Sequence, residues 1–120
     1  MKRLYRMSLW GLIIIPLISG AAHRPLDQLS QVQDSEQPGE LIYQQYCALC
    51  HDPNPQIPLG APRLGMAEDW QTRDLSDREA LFERMDNGMG AMPPRGGCFE
   101  CSDELLQAAI DYLIEHNDSP

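Results

Sequence analysis

Cys47-Ala48-Leu49-Cys50-His51 places two thiols one helical turn apart and an imidazole directly after the second. This C-x-x-C-H spacing lets each thiol add to a vinyl group along one edge of a haem while the next side chain reaches the iron. Covalent attachment of one haem c through Cys47 and Cys50 is expected, with His51 as proximal ligand. A ligating imidazole needs an acceptor for its other ring nitrogen, usually a backbone carbonyl. The proline-dense stretch after His51 has carbonyls to offer, although the spacing does not say which. A disulfide or thiol redox pair is the competing use of the two cysteines; the adjacent His and the signs of export described below favour haem.

An iron ligated by histidine alone stays open to small molecules, so the sixth ligand separates electron carriage from gas binding or chemistry. Residues 88–97 read Gly-Met-Gly-Ala-Met-Pro-Pro-Arg-Gly-Gly. Met92 precedes Pro93, which disfavours helix at residue 92 and stiffens the segment, and the glycines let the backbone approach a flat ring. Met85 sits at core spacing on a helix, where packing is its expected role. Met89 stays in contention, and Met92 is preferred for the two prolines behind it. A soft thioether would favour Fe(II) and raise the reduction potential. Cys98 and Cys101 precede the final helix. In an oxidising compartment a local disulfide is expected there, its small loop adding only modest stability. A redox-active dithiol lacks the strand–helix surroundings such motifs have, and a four-cysteine zinc site would need a shorter gap from the first pair.

The elements that must position these groups are short. Residues 1–22 carry Lys2, Arg3 and Arg6, an apolar run from Leu9 to Ile18 broken by Gly11 and Pro16, and small residues at 19–22. They read as an export signal, with an uncleaved membrane tether as the alternative. Residues 23–37 are Gln-rich with little apolar periodicity and read as a flexible leader, which leaves 38–120 as the haem-binding domain. Pro38 suits the first turn of a helix running into Cys47–His51. Five prolines and glycines between 53 and 62 forbid regular helix. Ser76 and Glu79 suggest a capping box for a helix that Asn87-Gly88 would end. Ser102 would cap the last helix, whose Leu105, Leu106, Ala109, Ile110 and Leu113 share a face. No alternating strand pattern of any length is present, so the fold class is all-α, three or four short helices with long loops around one haem.

The chain carries 9 Lys+Arg against 18 Asp+Glu, a net charge of −9. Without residues 1–22, six basic residues would face the 18 acidic ones, a net of −12. Such a body disfavours nucleic acid and anionic lipid as partners and suits basic proteins, or simply solubility. His116 lies near a helix C-terminus and His23 in the leader, and neither asks for a chemical role.

The C-A-L-C-H run, G-A-P-R-L-G and G-M-G-A-M-P-P-R-G-G-C-F-E-C-S-D-E-L-L together resemble a class I c-type cytochrome of the cytochrome c5 type, over roughly residues 38–116. The resemblance implies Cys47 and Cys50 bonded to haem, His51 and Met92 axial, and a Cys98–Cys101 disulfide. It also implies first and last helices that cross, with Gly39 allowing close approach and Tyr112 nearby. Trp70 would stand near the haem propionates or pack in the core, Arg73 would pair with a propionate, and Leu64 and Phe82 would wall the pocket. The proline loop at 53–58 and Met89 depart from the family pattern. A monomeric or weakly dimeric electron carrier of the periplasm follows, meeting its redox partners transiently and touching the inner membrane only if the N-terminal segment is retained. A haem-c subunit dedicated to one dehydrogenase or oxidase, and a gas-binding haem sensor, are the alternatives.

Overall fold

The computed structural model describes residues 25–117. The expected export signal, residues 1–22, lies outside them. Helix α1 (Pro25–Gln33) occupies most of the stretch read as a flexible leader. Leu29 and Val32, one turn apart, are buried and join the core of the domain. Two apolar positions among glutamines are too few to show as periodicity, yet they suffice when a neighbouring core receives them.

Helix α2 (Pro38–Ile42) begins on Pro38, whose missing N–H costs nothing in a first turn. It passes through a π-helical turn (Tyr43–Cys47) into α3 (Ala48–His51), with right-handed helical backbone at both junctions. Residues 38–51 are thus one helical run, as expected, with a wider turn that ends on the first thiol. A single turn, α4 (Ala67–Trp70), follows the proline-rich loop.

Helix α5 (Arg78–Asn87) is capped one residue later than the sequence suggests. Asp77 accepts from the Ala80 amide at 3.0 Å, while the Ser76 hydroxyl turns away to Asp74. Both side chains are able caps, and Asp77 wins because its carboxylate reaches the third amide of the helix. Gly88, with φ +75°, ends α5 in the conformation that glycine tolerates. A 3₁₀ turn (Pro94–Gly97) leads to the disulfide-bonded Cys98 and Cys101 and on to α6 (Asp103–Asn117). Ser102 caps α6 through the Leu105 amide at 3.3 Å. Leu105, Leu106, Ala109 and Ile110 are buried on its inner face, each large side chain contributing about 1.5–3 kcal/mol of transfer free energy.

Helices α2 and α6 pack backbone to backbone. A Cβ added at Gly39 would lie 2.1 Å from the Ala108 carbonyl oxygen, so only glycine fits. The Tyr43 and Tyr112 rings flank this contact, 5.2 Å between centroids. Among the described residues the β structure is limited to one antiparallel bridge, Met89 to Met92. The architecture of the described residues is all-α, as expected, with short helices and long loops.

Candidate functional site

The π turn and α3 deliver Cys47, Cys50 and His51 in succession, and both thiols are free. Burial pushes the Cys47 thiol up to about 12, and neighbouring Cys50 adds to the rise. His51 Nδ1 lies 2.7 Å from the Pro62 carbonyl oxygen. That oxygen only accepts, so Nδ1 carries the proton and the lone pair is left on Nε2, the tautomer a metal ligand needs. Burial pulls the imidazole below its ordinary pKa; the Pro62 bond opposes this, and the Arg73 charge adds to it. A neutral ring is favoured.

The loop after His51 is fastened at several points. The Leu64 amide donates to the His51 carbonyl at 2.8 Å, and the Ile57 amide to Leu49 at 3.0 Å. Asp69 accepts from the Arg63 amide at 3.1 Å and from its guanidinium at 2.7 and 3.2 Å. Trp70 is buried, donates its indole N–H to the Arg63 carbonyl at 2.7 Å, and stacks towards His51 with centroids 6.3 Å apart. Trp70 is therefore part of the packing around the imidazole. The Arg73 guanidinium is bonded to the Asp69 carbonyl and the Thr72 hydroxyl.

Met92 sits in a tight two-way bridge: its amide donates to the Met89 carbonyl at 3.0 Å and its carbonyl accepts from the Met89 amide at 3.1 Å. The two methionines have different surroundings. Met92 is half-buried against the core, whereas Met89 is 51% exposed. Met85 is buried on α5, as expected of a packing residue. Phe82 lies partly buried against the same core, and Leu64 is half-buried.

A hollow of about 520 Å³ runs along Pro55, Pro58, Gly60 and Ala61; it shares Pro62, Arg63 and Asp69 with the loop that braces His51, and none of Cys47, Cys50, His51 or Met92 lines it. The Cys98–Cys101 bond engages two of the four sulfurs, which removes the four-thiolate zinc alternative. The remaining donor set suits haem c: two unpaired thiols a turn apart, a neutral imidazole with its proton fixed on the far nitrogen, and a soft thioether.

Sequence reasoning missed three supports of this site. Pro62 is one proline among several, and nothing in the spacing marks its carbonyl. Asn117 looks like a solvent-facing helix end, yet it is buried, accepts from the Gly65 amide at 2.7 Å and donates to Leu113. Arg95 sits in a glycine-rich run that hides its partners.

Residues 34–113 match the family model described as "Cytochrome C oxidase, cbb3-type, subunit III". The chain is 36% identical over 77 residues to cytochrome c5 of Azotobacter vinelandii, covering 62% of this chain and 89% of the relative. It is 34% identical over 74 residues to cytochrome c5 of Ectopseudomonas mendocina, covering 60% and 82%. A cytochrome c6 of Diacronema lutheri is 30% identical over 76 residues, covering 63% and 89%. Among solved structures, a cytochrome c chain in an electron transfer complex of nitrite reductase with cytochrome c superposes with a TM-score of 0.57 at 33% identity, covering 66% of this chain and 93% of that one. With its free thiol pair and adjoining imidazole set as described, the chain belongs to the class I c-type cytochromes, close to cytochrome c5, and binds one haem c through Cys47 and Cys50.

Proposed function

We propose that this protein is a single-haem electron carrier of the periplasm, with its iron held between His51 and Met92. The carrier role, rather than an enzymatic one, follows from the family. The observation that carries the ligand reading is the His51 ring, half-buried and with its Nδ1 proton fixed by the Pro62 carbonyl, immediately after two free thiols. Bound haem c supplies reversible Fe(III)/Fe(II) chemistry, one electron at a time. The chain's own residues anchor it through Cys47 and Cys50, orient His51, and hold the Met92 thioether on a stiff backbone against the core. Met92 is favoured over Met89 because a half-buried side chain packed on the core is already ordered, while an exposed one would have to be.

Its partners are redox proteins met transiently, as the complex containing the structural relative suggests, through contacts of the small kind such encounters use. A monomer or weak dimer suits that role. No helix among the described residues is long and apolar enough to cross a membrane; anchoring to the inner membrane would need residues 1–22. A second reading, a subunit dedicated to one oxidase, is favoured by the description of the matching family. Co-purification with an oxidase would separate it from a free carrier.

The test is spectroscopic. The purified holoprotein should show c-type bands in a reduced-minus-oxidised spectrum and, when ferric, the far-red absorption of thioether–iron coordination. Met92→Ala should abolish the far-red band and Met89→Ala should leave it. A colourless product, or the reverse pattern in the two variants, would sink the reading.

A further inference from the structure

Arg95 is the one non-glycine residue with positive φ (58°) among those described, within a run where Gly96 and Gly97 share that conformation. Glycine would sit there without strain, so the side chain must compensate for the backbone. It is 22% exposed and makes three bonds. One arm binds the Asp86 carboxylate near the end of α5; the other donates to the Cys101 carbonyl and to the Asp103 carboxylate, at 2.8 Å each. Asp103 is the first residue of α6, and Cys101 is pinned by its disulfide.

The Asp86–Arg95 pair closes the loop that bears both candidate methionines. Inside that loop the backbone is already crowded: a Cβ on Gly88 would lie 2.7 Å from the Met92 carbonyl oxygen and 2.8 Å from the Pro94 nitrogen. Met92 is therefore held from its N-terminal side by the bridge to Met89 and by Gly88. From its C-terminal side two prolines lead straight into Arg95, which spans α5, α6 and the disulfide. We propose that Arg95 is the positioning residue for Met92, a guanidinium staple that locks the ligand loop so that the thioether stays in one place. The proposal rests on Met92 as the sixth ligand.

The staple is tested in the ferric holoprotein with cyanide, which binds only after the thioether leaves. Arg95→Gln and Arg95→Gly are expected to bind cyanide about tenfold faster or more, the size set by losing a charge-assisted hydrogen bond, and to weaken the far-red band. Arg95→Gly is the discriminating variant, because it relieves the left-handed backbone while deleting the staple. A residue serving only the backbone would leave cyanide binding slow in Arg95→Gly. Arg95→Lys, with charge but no fork, should fall between. If Arg95→Gln fails to take up haem, Asp86→Asn removes one arm alone and should still accelerate cyanide binding. Wild-type rates in Arg95→Gly and Asp86→Asn, alongside a Met92→Ala variant that has lost the band, would overturn the staple and leave the ligand intact. A Met92→Ala variant that keeps the band would overturn both.

Discussion

Asp69 ties Arg63 at three points, and Arg63 is the residue next to the carbonyl that orients His51. The Arg63 side-chain bond, then its backbone bond, hold the Asp69 carboxyl below the usual carboxylate range. A carboxyl depressed in the fold contributes stability that is present above its ordinary pKa of about 3.9 and is lost as pH falls through the lowered value. Asp69→Asn should therefore melt at a lower temperature than wild type near neutrality, with the two converging in acid below about pH 4. Thermal melts of the holoprotein at a series of pH values would show it; curves that coincide at every pH would mean that the pair contributes nothing. The same neighbourhood shows where residue-level reading stops. C-x-x-C-H names its own chemistry, but the carbonyl that completes it belongs to a proline indistinguishable from its neighbours until the loop is folded.

Among the elements, the α2–α6 contact is the least forgiving. Gly39→Ala would drive a methyl into the Ala108 carbonyl, backbone against backbone, and overpacking of this kind costs about 1–3 kcal/mol or more. Denaturant unfolding should register that loss while the c-type spectrum of the surviving folded fraction is unchanged. Helix α1 offers a second measurement. Leu29 is buried against the core, so Leu29→Ala should destabilise by about 2 kcal/mol, the low end for a buried leucine, and a neutral result would return α1 to the role of a leader. Helix α6 was legible because five apolar residues repeat on one face behind a serine cap. Helix α1 was not, since two apolar residues among glutamines carry too little pattern. The π turn at Tyr43–Cys47 was hidden for another reason: one wider turn leaves no trace in composition. Ser76 was read as the cap of α5, and Asp77 takes that place because its side chain reaches the Ala80 amide. Met92 and Met89 differ in exposure, which the sequence did not show, and neither spacing nor prolines pointed to Arg95.

At the scale of the whole molecule the acidic surface matters most. A net charge of −9 should speed encounter with a basic redox partner and slow it as salt rises, because surface charges are screened within about 10 Å at 0.1 M ionic strength. Stopped-flow electron transfer to a basic acceptor at increasing salt should slow steadily; a flat profile would place the contact on an uncharged face, and a rising one on a basic face. One element joins three of the long-range ties described above. Helix α6 meets Arg95 at Asp103, Gly39 at Ala108 and the Gly65 loop at Asn117. Its 15 residues, at about 1.5 Å each, thus act as a gauge rod between the segment that carries the sulfur and the segment that aims the imidazole. Lengthening or shortening that rod by one residue would therefore shift the Met92 loop and the loop beneath His51 against each other, with Cys47, Cys50 and His51 themselves unchanged.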